Sequence, residues 1–327
     1  MTDSPLPDWN AALPLLTPRT RVQLCKDEPL SRHTYLFVGG NADIYCKAED
    51  TDTLAELSQV SQIYGLPLIL LGEGTNVCVS DKGVRGLVVV NACRGVEFSG
   101  NRVKVETGHN LMSLFVASLH RELSGLEFAV GIPGTVGGAL VSNAGAYRSN
   151  MDRLVREIEV VEAGERKHVS PDWMEFSYRD SRLRSGKREP ACLLSATLEL
   201  TPGVRREIRM RAKDYQYQRI VKQPWRPSAG SFFKNVLDIE LAQSLPGLSD
   251  GMRKAGVIPT AFLSEACGLK GFSIGGAKVS EQHANFIVNR GGATATEIRL
   301  VAEHVAKTVF ERFGVILEEE VMYLGEW

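Results

Sequence analysis

The most informative part of this sequence is the stretch GIPGTVGGALVSNAGAY, from Gly131 to Tyr147. Five glycines fall within the fifteen residues from 131 to 145. Because glycine has no Cβ, its backbone approaches a ligand or another chain segment closely. Close packing between strands explains this density of glycine poorly. We therefore interpret the stretch as a surface for a large, flat ligand that carries a pyrophosphate.

A second glycine-rich stretch, Gly72-Glu-Gly74-Thr75-Asn76, follows the apolar run Leu66–Leu71. Its glycines would bring backbone amides close to a phosphate, and Thr75 and Asn76 add side-chain donors. A simple β-turn explains the same letters. A Rossmann dinucleotide site is the weaker interpretation, because the sixth position is Val77 and the following residues resemble a strand rather than a helix.

A third stretch, Ser228-Ala-Gly230-Ser231-Phe-Phe-Lys234-Asn235, places a hydroxyl after a glycine and a cation three residues later. Ser231 is either a turn hydrogen-bonder or a proton donor, with Lys234 available for an anionic substrate. The residues alone leave both interpretations open.

Two charged features are less specific. Arg179, in Tyr178-Arg-Asp-Ser181, suits bidentate binding of a carboxylate or phosphate, although a surface ion pair is the commoner outcome. The run Glu318–Glu320 is typical of a solvated strand edge. Strand alternation would turn Glu319 to the opposite face from its two neighbours.

Helices and strands are mixed along the chain without strict alternation. Helical spacing of apolar residues predicts helices at Thr51–Tyr64, at Leu111–Leu123, across the basic stretch 202–222, and from the capping box Thr294-Ala-Thr-Glu297 to Gly314. Short apolar runs predict strands at Leu66–Leu71, Val77–Val79, Gly86–Val90, Arg102–Glu106, Glu157–Val161, Phe176–Tyr178, Cys192–Leu200 and Val315–Leu324.

The composition excludes several classes of protein. The 327 residues suggest two or three domains, and the net charge of −1 gives no support for nucleic-acid binding. No apolar run approaches the roughly 20 residues that span a bilayer, and the N-terminus does not resemble a signal peptide. The six cysteines are scattered, which indicates reduced thiols in the cytoplasm, and neither cysteines nor histidines have metal-ligand spacing.

Taken together, the motifs resemble one family. G-E-G-T-N at 72–76, G-I-P-G-T-V-G-G-A at 131–139 and N-A-G-A-Y at 143–147 look like the FAD-binding half of UDP-N-acetylenolpyruvoylglucosamine reductase (MurB). P-S-A-G-S-F-F-K-N at 227–235 and G-G-A-K-V-S-E-Q-H-A-N-F-I-V-N at 275–289 look like its substrate domain. The resemblance runs from about residue 34 to residue 324 in the family's order.

The resemblance implies an α+β fold: a two-subdomain FAD-binding fold of the vanillyl-alcohol-oxidase type, followed by a C-terminal α+β substrate-binding domain. We expect a lead-in over 1–30 and an FAD-binding region over 31–202, with subdomains at about 31–95 and 96–202. The substrate-binding domain is expected over 203–315, and a final strand over 316–327 would carry Glu320.

The implied reaction reduces the enolpyruvyl ether of UDP-N-acetylglucosamine enolpyruvate to UDP-N-acetylmuramate, a peptidoglycan precursor. NADPH reduces a non-covalently bound FAD, and hydride passes from flavin N5 to the enolpyruvyl carbon furthest from the carboxylate. The resemblance gives Ser231 the role of proton donor to the resulting enolate, with Arg179 and Glu320 as the other catalytic residues. A cation and hydrogen-bond donors would stabilise the dianionic enolate.

The resemblance also implies binding residues. Those expected to contact FAD are Gly72, Gly74, Thr75, Asn76, Gly131, Ile132, Pro133, Gly134, Thr135, Gly138, Asn143, Gly145 and Arg219. Those expected near the UDP-sugar are Tyr147, Lys222, Lys234, Asn235 and Lys278. No metal is expected.

The chain departs from the family pattern in three places. The link between Leu200 and Arg219 is too short for the tyrosine-bearing loop of one branch, so we assign the chain to the branch without it. Arg148-Ser149 replaces a glycine that often follows the tyrosine of N-A-G-A-Y, and Val236 replaces a common proline. No catalytic group is lost.

Two other functions fit parts of the sequence. An FAD-linked alcohol or sugar oxidase would use the same scaffold, often with a covalent flavin, and His109 is the residue that raises this alternative. A non-enzymatic nucleotide-sugar binding protein is the second. The coexistence of Arg179, Ser231 and Glu320 with the flavin motifs favours the reductase over both.

Overall fold

The computed structural model describes residues 22–186 and 190–327. They form two compact units, each assembled from separate pieces of the chain. The first unit contains residues 22–28, Ala42–Gly74 and Val84–Arg219, and the second contains Pro29–Asn41, Thr75–Gly83 and Ile220–Trp327. The expected functional boundaries at 202/203 and 315/316 stay predictions. Most of the predicted lead-in, residues 1–21, lies outside the described residues.

The helices of the described chain follow the capping chemistry of the sequence. Asp50 caps α1, and Thr294 and Glu297 form the reciprocal capping box of the long C-terminal helix. The α-helices are α1 Thr51–Tyr64, α2 Leu111–His120, α3 Val136–Val141, α4 Arg182–Ser185, α5 Arg205–Lys222, α6 Ile239–Ser244, α7 Asp250–Ala255, α8 Thr260–Ala266 and α9 Ala295–Phe313.

The strands of the described chain are mostly short. In chain order they are β1 Cys25–Pro29, β2 Asn41–Ala48, β3 Leu68–Leu71, β4 Val77–Val79, β5 Val84–Asn91, β6 Val96–Ser99, β7 Arg102–Glu106, β8 Leu123–Ser124, β9 Gly145–Ala146, β10 Ser149–Asn150, β11 Val155–Glu162, β12 Glu165–Val169, β13 Ala191–Glu199, β14 Thr201–Pro202, β15 Ser228–Ser231, β16 Val236–Leu237, β17 Val257–Ile258, β18 Ser273–Ile274, β19 Ala277–Val279, β20 Phe286–Asn289 and β21 Met322–Leu324.

Among the described residues, the first unit contains two larger sheets and the two-stranded pairs β9/β10 and β8/β14. One has the order β1-β2-β5-β3, in which β5 lies parallel to both β2 and β3. The other is antiparallel, with the order β12-β11-β13-β7-β6. Buried residues of α1, β2, β5 and β13 form one hydrophobic core. A second core forms where α2 and α3 cover the antiparallel sheet.

The second unit is built on an antiparallel sheet with the order β15-β20-β19-β18. The apolar face of α9, with Ile298, Val301, Val305 and Val309, is buried in the core of this unit. A separate pair joins β4 to β21 in parallel, with Val77 opposite Met322 and Val79 opposite Leu324.

Three local predictions were wrong. Residues 176–178 form no strand, because the chain turns between Ser177 and Asp180 with Arg179 at φ 54°. The predicted strand Val315–Leu324 is regular only over Met322–Leu324. Helix α2 ends at His120, since Glu122 has a φ of 59° and Leu123 starts a strand that pairs with β14.

The mixture of parallel and antiparallel strand pairs with helices agrees with the expected α+β class. Among the described residues, no helix is both long enough and apolar enough to span a membrane. The same residues contain no group of three or more histidine, cysteine and acidic side chains suited to a metal ion.

Candidate active site

Two loops of the first unit meet at Gly72 and Thr135. A Cβ on Gly72 would lie 2.6 Å from Thr135 Oγ1, so any other residue would require the Thr135 side chain to move. The Asn110 side chain joins the loops further by donating to the carboxylate of Glu73 (2.8 Å). The backbone N–H groups of Gly72, Glu73, Gly74, Gly134 and Thr135 have no hydrogen-bond partner among the described residues. Such a group of free donors is suited to a phosphate or pyrophosphate.

The start of the glycine stretch packs against Arg219 of α5. Gly131 has a φ of 78°, and a Cβ there would lie 2.8 Å from Arg219 Cδ. Arg219 Nη2 donates to the carbonyl of Phe128 (3.2 Å), while Nε is buried and unpartnered among the described residues. Burial, together with the charge of Arg179, lowers the pKa of Arg219. An anionic ligand beside Arg219 would offset the free-energy cost of burying its positive charge.

The end of the glycine stretch holds the turn that carries Arg179. Asn143 is buried, and its amide nitrogen donates to the Ser177 carbonyl (2.9 Å) and to Asp152 (3.2 Å). A guanidinium nitrogen of Arg179 donates to the carbonyl of Gly145. Asn143 therefore holds the Arg179 turn against the glycine stretch. Sequence reasoning had given Asn143 a cofactor contact, which stays a prediction.

Tyr147 lies in the two-residue turn that joins β9 to β10. Its ring stacks on Tyr215 of α5, with centroids 3.8 Å apart and planes 3° from parallel. The Tyr147 hydroxyl donates to the Tyr215 carbonyl (3.1 Å). The guanidinium carbon of Arg219 lies 5.6 Å from the centre of the Tyr147 ring. Burial raises the pKa of the Tyr147 phenol, against the opposing charge of Arg219.

In the second unit, Ser231 and Glu320 lie on adjoining segments. Ser231 ends β15, and the carbonyl of the next residue, Phe232, accepts the N–H of Glu320 (2.8 Å). Phe233 and Glu319 form an isolated antiparallel bridge, and the Lys234 N–H donates to the Glu318 carbonyl (2.8 Å). Two of the three predicted catalytic residues thus lie on segments that backbone hydrogen bonds join. The third, Arg179, belongs to the first unit.

Two asparagines fix these segments. Asn285 is buried, and its side chain accepts the Phe233 N–H (3.0 Å) and donates to the Phe233 carbonyl (2.8 Å). Its own carbonyl accepts the N–H of Phe232. Asn76, predicted to contact FAD, donates its side-chain amide to the Glu320 carbonyl (2.9 Å). Sequence reasoning missed Asn285, although it lies inside the quoted motif H-A-N-F.

The predicted substrate lysines differ in their surroundings. Lys234 is buried and pairs with the exposed carboxylate of Glu318, and its carbonyl accepts the hydroxyl of Thr260 (2.5 Å). Lys278 is partly exposed and pairs with Glu281. Lys222 ends α5 and is exposed, whereas Asn235 is half-buried. Their roles in substrate binding stay predictions.

Glu319 points inward, as strand alternation predicted, although its segment is not a regular strand. Its carboxylate accepts the hydroxyl of Tyr323 (3.0 Å). Burial raises the pKa of Glu319, against the opposing effects of Tyr323 and Arg299. The Tyr323 ring packs edge-on against Phe232, at a centroid distance of 6.4 Å. Glu319 therefore anchors the segment from which Glu320 projects.

His109, which raised the oxidase alternative, and His283, which lies in the motif at 275–289, have defined partners. His109 Nδ1 lies 2.7 Å from the carbonyl of Arg94, while its Nε2 is buried without a partner among the described residues. His283 Nδ1 accepts the N–H of Asn285 (3.3 Å), and burial lowers the pKa of this histidine. Burial therefore favours the neutral form of His283.

Comparison with known proteins identifies the family. The family described as UDP-N-acetylenolpyruvoylglucosamine reductase, C-terminal domain, matches residues 221–324, and the FAD binding domain family matches residues 42–169. A UDP-N-acetylenolpyruvoylglucosamine reductase from Anoxybacillus flavithermus is 39% identical over 308 residues, covering 92% of this chain and 94% of its own length. The chain belongs to the UDP-N-acetylenolpyruvoylglucosamine reductase family. A relative of the same name from Caldanaerobacter subterraneus is 39% identical over 307 residues, covering 93% of this chain and 94% of its own length.

A solved member of the reductase family has the same fold. The crystal structure of UDP-N-acetylenolpyruvylglucosamine reductase (MurB) from Thermus caldophilus matches with a TM-score of 0.73 and 30% identity, over 93% of this chain and 99% of that one. The expected fold class is confirmed: an FAD-binding domain followed by the C-terminal domain of the reductase family. The resemblance drawn from the sequence motifs is confirmed as well, and with it the prediction of an FAD-dependent oxidoreductase.

Proposed function

We propose that this FAD-dependent oxidoreductase uses NADPH to reduce UDP-N-acetylglucosamine enolpyruvate to UDP-N-acetylmuramate. The observation that carries the proposal is the adjacency of Ser231 and Glu320, joined through the Phe232 carbonyl, in a chain of the reductase family. A hydroxyl and a carboxylate carried by two segments that are hydrogen-bonded to each other would be suited to delivering a proton.

The residues of the first unit fit FAD. The unpartnered N–H groups of the loops at 72–74 and 134–135 are suited to its pyrophosphate, and Arg219 is suited to its negative charge. Gly138 leaves room for close approach, because a Cβ there would meet only Thr135 Oγ1 at 3.6 Å. When bound, FAD would supply hydride-transfer chemistry, from NADPH to the enolpyruvyl carbon furthest from the carboxylate.

The chain's own groups would complete the reduction. Hydride addition converts the enolpyruvyl carboxylate into its dianionic enolate, and we assign Arg179 to stabilise this doubly negative species. Ser231 would donate its hydroxyl proton to the neighbouring carbon, giving the lactyl ether. A serine hydroxyl is a weak acid. Proton donation by Ser231 would therefore depend on its polar surroundings, which would include Glu320. Asn285 and Asn76 would act by positioning these two residues.

Substrate binding is assigned to Tyr147, Lys222, Lys234, Asn235 and Lys278. The cations among them suit the diphosphate of a nucleotide-sugar. All six cysteines are free, and burial raises the pKa of four of them (Cys46, Cys78, Cys93 and Cys192) to about 12. Reduced thiols and a nucleotide-sugar substrate support a cytoplasmic role in peptidoglycan synthesis.

The reaction is tested by following NADPH oxidation in FAD-loaded protein, with and without UDP-N-acetylglucosamine enolpyruvate. Substrate should accelerate oxidation many-fold, and no acceleration would refute the proposed reaction. Ser231→Ala should slow reoxidation of the reduced flavin by roughly 10²–10⁴-fold while flavin reduction by NADPH continues. Ser228→Ala, in the same strand, is the matched control and should leave both half-reactions near wild type.

The oxidase alternative is tested separately. Acid precipitation of the yellow protein should release all flavin into the supernatant, since the reductase holds it non-covalently. Flavin that stays in the pellet of wild type and leaves it in His109→Ala would favour a covalently attached cofactor and the oxidase.

A further inference from the structure

The turn at Tyr147 and Arg148 lacks the glycine and asparagine residues that two-residue hairpin turns usually contain. It joins β9 to β10, with Ser149 opposite Ala146 and Asn150 opposite Gly145. Tyr147 has a φ of 52° and Arg148 a φ of 64°. A hairpin turn with two positive φ values is normally built from Asn-Gly or Gly-Gly, because a Cβ is unfavourable in this conformation. Two large side chains occupy it here.

Such a turn persists only where its surroundings hold it. The contacts that do so come from α5, on whose inward-facing side Ile208 and Ala212 are buried and Tyr215 and Arg219 are half-buried. Tyr215 supplies two contacts to Tyr147: the stacked ring at 3.8 Å and the carbonyl that accepts the Tyr147 hydroxyl. Arg219, one helical turn later, lies against the same ring.

We propose that Tyr215 is a positioning residue, which holds the Tyr147-Arg148 turn in its left-handed conformation and thereby sets the orientation of Tyr147 for the sugar nucleotide. The inference rests on the proposed function, in which Tyr147 contacts the substrate. The hydroxyl of Tyr147 donates its hydrogen bond to the Tyr215 carbonyl, so the Tyr147 oxygen remains available as an acceptor. Losing the stack frees the turn to relax and removes this orientation.

The kinetic test compares Tyr215→Leu with Tyr215→Phe. The leucine variant should raise KM for the UDP-sugar between threefold and about tenfold, the range of a lost aromatic pair, with kcat changed much less. The phenylalanine variant keeps the ring and the carbonyl, so it should behave as wild type. Tyr217→Leu is the matched control, because Tyr217 is 67% exposed on the same helix. The proposal fails if Tyr215→Leu changes KM no more than this control.

A second change distinguishes positioning of the turn from a general loss of structure. Glycine adopts positive φ freely, so adding Arg148→Gly to Tyr215→Leu should restore KM to within about threefold of wild type. A structural defect of α5 would not respond to a glycine in the turn, and absence of rescue would overturn the proposal.

The stack is also measurable without turnover. In urea unfolding of the FAD-loaded protein, Tyr147→Leu and Tyr215→Leu should be non-additive, because either change alone removes the pair. Additive effects would refute the coupling. If wild type oxidises no NADPH with the UDP-sugar, the proposed function has failed, while this cycle still reports whether Tyr215 holds the turn.

Discussion

Gly72→Ala tests the junction of the two loops in the first unit. The new Cβ would lie 2.6 Å from Thr135 Oγ1, well inside the ordinary contact distance of 3.4 Å. Relief requires the Thr135 side chain to rotate, which breaks its cap on the Gly138 N–H (3.2 Å). Losing the cap costs about 1 kcal/mol, and residual crowding adds roughly 1–2 kcal/mol. We expect the free energy of unfolding to fall by about 2–3 kcal/mol.

The measurement is thermal and urea unfolding of protein stripped of flavin, so that cofactor binding does not contribute. A loss of this size lowers Tm by about 5–10 °C. Thr135→Ala alone should cost about 1 kcal/mol, the value of the cap. The double variant should cost little more than Thr135→Ala, because the hydroxyl that the new Cβ would strike is gone. The coupling between the two sites is then about 2–3 kcal/mol.

Gly138→Ala is the matched control, because its Cβ would approach the same hydroxyl only to 3.6 Å. Gly138 lies within α3, so alanine should stabilise the apo protein by about 0.5–1 kcal/mol. It should at the same time weaken FAD binding, measured by flavin fluorescence, if the cofactor approaches this backbone. Additivity of Gly72→Ala and Thr135→Ala would show that the contact does not explain the glycine at position 72.

Three further predictions concern buried polar groups. Asn285→Ala leaves both backbone groups of Phe233 without partners and should cost roughly 2–4 kcal/mol of unfolding free energy in urea titration; a loss below about 1 kcal/mol would contradict this. Glu159 bonds Arg166 and has a lowered pKa, the bonds from its partners outweighing burial. Glu159→Gln should therefore destabilise the protein at neutral pH, and its Tm difference from wild type should shrink as the pH falls below about 4, the range where free glutamate becomes protonated. Because burial raises the pKa of Glu319, Glu319→Gln should raise Tm at neutral pH, and the gain should vanish in acid as the wild-type carboxyl takes up its proton; a pH-independent Tm difference would argue against this.

The elements with strong periodicity and clear caps were predictable from the sequence. Thr51–Tyr64 has the predicted bounds, and α9 starts and ends where the capping box and Gly314 indicated. Arg102–Glu106 is also as predicted. In each case the signals that define the element lie within or beside it, so no distant partner is needed to interpret them.

The errors occurred where distant residues decide the local structure. Val315–Leu324 has the composition of a long strand, but β4 pairs with only its last three residues. The run at 176–178 has strand-forming residues, yet Asn143 binds the Ser177 carbonyl and holds the chain in a turn. β-propensity describes a surface on which a strand would fit, and here no neighbouring strand among the described residues supplies that surface.

The sequence predicted which residues belong to the candidate site better than it predicted which residues they contact. The motifs pointed to Ser231 and Glu320, whereas the contacts between their segments join residues as distant as Lys234 and Glu318, which are 84 positions apart. Asn76 received a cofactor role from its place in G-E-G-T-N, yet its side chain holds the Glu320 segment, 244 residues away. A single sequence records the residue types that such contacts need and not the partners they find.

The pairing of β4 with β21 constrains the order in which the two units can fold during synthesis. Val77 is translated long before its partner Met322, and Ser80, directly after β4, donates its N–H to the Leu324 carbonyl and its hydroxyl to the Glu326 carbonyl. During synthesis, the first unit has all of its segments once residue 219 has left the ribosome, while the second unit lacks its closing strand until residue 324 has followed. The proposed catalytic Glu320 thus becomes fixed late, so ribosomes that stop short of it would release chains with a complete first unit and no catalytic carboxylate.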